Sequence, residues 1–254
     1  HVRSRRQRQM CIRDRHKAGG GLSNQFITIS NIASTAPDQV RLGNEKVVKP
    51  RLADAAFFWQ QDLKLSLRDR AHKLSDVVYQ KGLGSIHDKS QRVAKLAGAI
   101  AEALGNNPAD AISAGQLAKA DLLTEMVGEF PELQGVMGHY YAKLDGEPND
   151  VAIAIGEHYL PRFAGDELPV TSTGQAVSIA DRLDTLTGIF ALGKRPSGNK
   201  DPFALRRLAL GLVRILIEGQ IDLDLKQCIQ QSLELQPVKS EASIVDDIYD
   251  FIVD

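Results

Sequence analysis

The feature that most constrains this chain is the succession of capped, apolar-periodic segments from Ser85 onwards. Ser85 stands at an N-cap position ahead of IHDKSQRVAKLAGAIAEALG. In that segment Val93, Leu96, Ala97, Ile100 and Leu104 share one helical face, and Gly105 supplies the stop. PADAISAGQLAKADLLTEMV follows, with Ile112, Leu117, Leu122, Leu123 and Met126 apolar. Pro131 opens PELQGVMGHYYAKL, and Asn149 or Asp150 caps NDVAIAIGEHYL. A Pro/Gly-rich link over 161–174 leads to QAVSIADRLDTLTGIFAL, which reads as a buried helix. The loop GKRPSGNKD and the segment PFALRRLALGLVRILIEG come next, and two shorter helices close the pattern. Helices with one apolar face must bury it against one another, so the spacing predicts a mainly α fold, a helical bundle.

The N-terminal part reads differently. QFITISNI, residues 25–32, is β-branched and alternating, which predicts a strand. A turn at Ala36-Pro37-Asp38 and the short segment QVRLG follow. Together they predict a short β-hairpin closing an upstream domain. Val47, Leu52, Ala55, Ala56 and Trp59 then predict a helix from about Pro50 to about Lys64. Phe57, Phe58 and Trp59 could stack on bases, but at helical spacing beside Leu52 they read as core. Gly19-Gly20-Gly21 and Gly82-Leu83-Gly84 lack the Lys-Ser/Thr and the strand–turn–helix setting of a phosphate loop.

Residues 1–15, HVRSRRQRQMCIRDR, hold six arginines and no apolar periodicity. The ten residues Arg5 to Asp14 back-translate, in frame, into a transposase sequencing adapter and its mosaic end. Residues 4–15 are therefore expected to be a translated adapter and carry no weight in the fold. Over the whole chain 31 basic and 32 acidic residues give a net −1. Without the first fifteen residues the balance is 25 to 31, a net −6 over 239 residues. Any nucleic-acid contact must then be a local patch rather than a broad basic face. With 43% hydrophobic residues a real core is available, and no apolar run approaches the length that crosses a bilayer. There is no secretory signal pattern, and Cys11 and Cys228 cannot build a disulfide framework or a zinc knuckle. A cytoplasmic setting and no membrane partner are expected.

The order of the helices matches that of metal-dependent phosphohydrolases of the HD type, which gather His, then His-Asp, then Asp from successive helices around a divalent cation. The first His position falls on Lys89, four residues before Val93. His87 lies two residues away, on another side of the helix. The His-Asp pair falls on Ala120-Asp121, and the last Asp on Asp181. A lysine and two carboxylates make a poor metal site, so no metal is expected at Lys89, Ala120, Asp121 and Asp181. Asp121 and Asp181 are expected to be buried and paired, with Lys89 or Arg92 as partners. His139 and His158 read as surface or packing histidines. An active phosphohydrolase acting on nucleotides is the alternative reading.

Four segments carry a more specific resemblance: RLADAAFF, KADLLTEMVGEFPELQGVMGHYYA, ADRLDTLTGIF and KDPFALRR. In their order, from about His16 to the end, they resemble the β subunit family of the bacterial two-subunit glycyl-tRNA synthetases. That family carries a degenerate HD-like domain, in agreement with the missing ligands. The resemblance implies an HD-like helical bundle over 81–220, after the end of an α/β domain (16–45) and a helical connector (46–80). The start of a further helical region (221–254) would follow and continue beyond the chain. It also implies a glycine–tRNA ligase assembled as an αβ heterotetramer. The α subunit would activate glycine with ATP and Mg, and the β subunit would recognise tRNA(Gly). This stretch is expected to bind no cofactor itself and to hold no complete catalytic site. Lys194, Arg195, Lys200, Arg206 and Arg207 are the candidate RNA contacts, with free helix N–H groups expected near Pro202. Solvated loop charges are the alternative for the same residues.

Overall fold

The computed structural model describes residues 12–16, 22–29, 33–198, 200–239, 241 and 243–254. Residues 4–11 of the adapter reading, Gly19–Gly21 and the end of the expected strand, 30–32, lie outside them. The chain divides into two compact units, 1–54 and 55–254. Helices dominate, so the fold is mainly α.

In the first unit, β1 (Ile12–His16) pairs antiparallel with β2 (Leu22–Thr28), Ile12 facing Thr28. Helix α1 (Pro37–Asp62) begins in this unit. QVRLG is therefore helical and forms no strand, correcting the sequence reading. Pro37 starts the helix with Asp38 in its first turn, and Ala36 O accepts the amides of Gln39 and Val40. Pro50 sits inside α1 rather than at its start. The early turns were not legible because Val40, Leu42 and Val47 are all exposed, leaving no one-sided apolar pattern.

The second unit is the bundle. Its helices are α2 (Leu67–Lys73), α3 (Ile86–Ala103), α4 (Pro108–Leu117), α5 (Glu125–Glu129), α6 (Val136–Leu144) and α7 (Asn149–Glu157). After the link come α8 (Ser172–Ala191), α9 (Leu205–Glu218), α10 (Leu225–Glu234) and α11 (Ile244–Val253). A small hairpin, β3 (Val78–Gln80) with β4 (Gly84–Ser85), precedes α3. Ser85 and Asp88 form a reciprocal capping box, Oγ accepting the Asp88 amide at 3.1 Å and the carboxylate accepting the Ser85 amide at 2.8 Å. Asn107 caps α4 ahead of Pro108. Helix α8 is the axis: α3, α4, α7, α9, α10 and α11 all pack on it. Leu183, Leu186, Ile179 and Val177 on α8 are fully buried, and its polar Ser178, Arg182, Asp184 and Thr187 are buried with them, as a helix surrounded by neighbours requires. No helix among the described residues is long and apolar enough to cross a membrane.

Within the second unit, the last residue of α1 meets α2, α5 and α6. Asp62 is buried, and its carboxylate accepts the amides of Glu125 and Met126 at 2.9 and 3.0 Å, so it caps α5 from outside. The Tyr141 hydroxyl donates to it at 2.9 Å, and Arg70 donates at 3.3 Å. Three turns of the bundle thus converge on one carboxylate. Trp59 stacks on Tyr141 with ring centroids 5.2 Å apart, which uses it in packing. Phe58 also packs on the core, whereas Phe57 is exposed.

Candidate functional site

Two residues one helical turn apart on α3 face two residues one turn apart on α8. Lys89 and Arg92 are three apart, and so are Asp181 and Asp184, so each pair lies on one face of its helix. Arg92 Nε donates to Asp184 Oδ1 at 2.6 Å and its Nη2 to Oδ2 at 3.3 Å, a forked contact. Lys89 Nζ donates to Asp184 Oδ2 at 3.1 Å, to Thr185 Oγ1 at 2.9 Å and to the Asp181 carbonyl at 3.2 Å. It also lies 3.0 Å from Asp181 Oδ1, an ion pair outside hydrogen-bond geometry. Gln236 donates to Asp184 from the far side at 3.0 Å. Burial opposes the Lys89 charge, but Asp181 and Asp184 outweigh it and raise its pKa.

A second ammonium holds the other side of Asp181. Lys119 Nζ is 3.3 Å from Asp181 Oδ2 and 2.8 Å from His158 Nε2. Its charge also sits 4.1 Å from the centre of the Tyr159 ring. His158 is 0% exposed, and its Nδ1 lies 2.7 Å from the Ile155 carbonyl. That contact places the ring proton on Nδ1, so Nε2 accepts from Lys119. Burial and the Lys119 charge drive the His158 pKa well below its usual value, keeping the ring neutral. Burial lowers the Lys119 pKa in spite of Asp181. Burial would raise the Asp181 pKa, but Lys119 and Lys89 hold it far below the usual carboxylate range.

Asp121 departs from expectation. It pairs with neither Lys89 nor Arg92. Its Oδ2 accepts the amides of Gly135 at 2.6 Å and Gly138 at 3.1 Å, and its Oδ1 is buried without a hydrogen-bond partner. Burial raises its pKa against these two amides. Only glycine fits position 138, where a Cβ would stand 2.7 Å from Ile155 Cγ2 and 3.1 Å from the Asp121 carboxylate. Ala120 is buried and contributes no ligand atom. His87 turns away to the Ala71 carbonyl, and His139 to that of Ala152. Sequence reasoning missed Lys119, Asp184 and Arg182, and placed His158 among ordinary packing residues. Arg182 is buried and donates to the carbonyls of Ser178 and Pro161 at 3.1 and 2.9 Å, with burial lowering its pKa to about 10. The complementary spacing of Lys89/Arg92 and Asp181/Asp184 was the available signal.

The basic loop lies elsewhere on the same unit. Lys194, Arg195, Lys200, Arg206 and Arg207 are all exposed. Arg195 is in a close ion pair with Asp247 of α11. The Lys194 ammonium is 5.6 Å from the centre of the Phe203 ring. Among the described residues no carboxylate pairs with Lys200, Arg206 or Arg207. Helix α9 starts at Leu205, not near Pro202, and its N-terminus is occupied. The amides of Leu205 and Arg206 donate to the Asp201 carboxylate at 2.9 and 3.0 Å. Two of the N–H groups expected to be free there are thus taken by Asp201, which leaves the side chains as the main candidate contacts.

These features define a helical-bundle protein whose centre is closed by ion pairs and which carries five exposed cations on one loop and the helix that follows it. No group of three or more His, Cys, Asp or Glu among the described residues could hold a metal ion. The chain belongs to the glycyl-tRNA synthetase beta subunit family, whose sequence pattern matches residues 2–254. It is 53% identical over 249 residues to the glycine–tRNA ligase beta subunit of Pseudomonas fluorescens (strain Pf0-1), covering 98% of this chain and 36% of that protein. It is 52% identical over 238 residues to that of Chromohalobacter salexigens, covering 93% and 35%. Over 223 residues it is 56% identical to the subunit of Ectopseudomonas mendocina (strain ymp), covering 88% and 32%. The chain thus spans about a third of the length of these relatives.

Proposed function

We propose that this chain is a stretch of a glycine–tRNA ligase beta subunit that contributes tRNA(Gly) recognition and subunit assembly to ATP-dependent charging of tRNA with glycine. Family membership along almost the whole chain is the observation that carries the reading. On this reading the bundle is a degenerate HD-like domain. Its central charges hold helices together and perform no chemistry. Glycine activation, with its ATP and Mg, belongs to an α subunit in an αβ heterotetramer in the cytoplasm. The exposed Lys194, Arg195, Lys200, Arg206 and Arg207 steer and hold the phosphate backbone, and base recognition lies elsewhere in the assembly. The phosphohydrolase reading gains no support, because Lys89 and Lys119 place ammonium groups where a metal would need open carboxylates.

The test is charging of tRNA with radiolabelled glycine by the full-length subunit assembled with its partner subunit. ATP-dependent charging that needs both subunits is expected. A folded, assembled pair that charges no tRNA with glycine would overturn the reading. Residues 4–15 are proposed to be translated adapter. Re-amplification of the source DNA across this position would then give a different sequence.

A further inference from the structure

Of the five exposed cations, Arg195 is the one that a carboxylate neutralises among the described residues. Its Nη2 donates to Asp247 Oδ2 on α11. Its guanidinium carbon also lies 5.5 Å from the centre of the Phe190 ring on α8. Phe190 is buried and meets Phe251 of α11 with ring centroids 5.1 Å apart. The core ring therefore fixes where the guanidinium sits, and Asp247 adds a neutralising charge. The two side chains keep 50% and 43% of their exposure, so an anion from outside can reach Arg195. One residue earlier on α11, Asp246 pairs instead with Lys226 of α10 at 2.6 Å.

We propose that Asp247 is a resident counter-ion that masks Arg195, and that an RNA phosphate displaces it when the loop engages RNA. The proposal rests on the reading of this loop as an RNA-contacting surface. A phosphate oxygen and a carboxylate oxygen compete for the same guanidinium donors. A half-exposed ion pair contributes little net stability, so the exchange costs little. Because Phe190 keeps the guanidinium in place, loss of the Asp247 charge leaves Arg195 available rather than adrift. Asp247 thus holds RNA affinity below what the loop's cations alone would give. It also links α11 to the state of the loop.

The experiment measures tRNA affinity of the full-length subunit assembled with its partner, at about 0.15 M salt, where only near charges act strongly. D247N keeps the side-chain shape and removes the charge. It is expected to bind tRNA about 2- to 5-fold more tightly than the unaltered protein. The gain is expected to vanish in R195A/D247N compared with R195A, since the two residues act through one contact. D246N removes an equal charge next door and leaves Arg195 paired, so it is expected to gain less than D247N. D247N that binds no more tightly would overturn the proposal. So would an equal gain in D246N, or a gain that survives in the R195A background. If R195A weakens binding and D247N does not tighten it, the masking fails and the RNA surface stands. If alanine at all five cations leaves binding unchanged, the RNA reading and this proposal fail together.

Discussion

Arg92 on α3 and Asp184 on α8 meet in the interior as a forked ion pair, with Nε 2.6 Å from Oδ1. Lys89 and Gln236 complete the shell around the same carboxylate. Removing that carboxylate strands the buried Arg92 and leaves Lys89 with Asp181 as its one carboxylate partner. Asp184→Asn is therefore expected to destabilise the chain by about 3–5 kcal/mol. Urea unfolding of the two proteins checks this, and a loss below about 1 kcal/mol would show that the pair is not needed to close the bundle.

Asp62 joins α1, α5 and α6 through one carboxylate. Its bonds to the Glu125 and Met126 amides and to the Tyr141 hydroxyl are charge-assisted. Tyr141→Phe is expected to cost about 1.5–3 kcal/mol. In a double-mutant cycle Asp62→Asn and Tyr141→Phe should be coupled by about 1 kcal/mol or more. Additive losses would mean that the hydroxyl and carboxylate act independently.

The neutral His158 makes stability depend on pH. Its folded-state pKa is depressed well below that of a free imidazole by burial and by Lys119. The unfolded chain therefore binds the extra proton first as pH falls. The contribution is complete above the unfolded pKa of 6.5 and is lost progressively below it. The expected slope approaches about 1.4 kcal/mol per pH unit below that value. Asp181, also depressed, adds a loss of the same sign at more acidic pH, below 3.8. Unfolding free energies between about pH 7 and pH 5 should fall for the unaltered chain and stay flatter for His158→Gln.

Position 138 has room for no side chain against Asp121 and Ile155. Gly138→Ala is expected to push the amide off the carboxylate and cost about 1–3 kcal/mol. Unchanged stability would show that the Gly138 contact is dispensable.

The bundle was legible because its helices announce themselves at both ends. The capping box at Ser85, the Asn107-Pro108 start and the apolar-rich α8 each tie a local signal to a buried face. Helix α1 was misread over its first turns because its apolar residues point to solvent there and no periodicity survives. The centre was half legible. Lys89, Arg92, Asp181 and Asp184 have matching spacings, but their pairing depends on α3 packing on α8. The Lys119–His158 contact joins a turn to the end of α7, a meeting that only tertiary packing creates. Asp121 was misassigned because glycine amides, rather than a cation, satisfy it. The loop cations were found by composition alone. Their surroundings, Asp201 and Asp247, required the fold.

The most direct measurement of the central claim is the salt dependence of tRNA binding by the full-length subunit assembled with its partner. It compares the unaltered protein with one carrying alanine at Lys194, Arg195, Lys200, Arg206 and Arg207. If these side chains hold phosphates, affinity falls and the slope of log K against log salt drops by roughly 3 or more. Equal affinity and an unchanged slope would contradict the assignment of this surface to RNA.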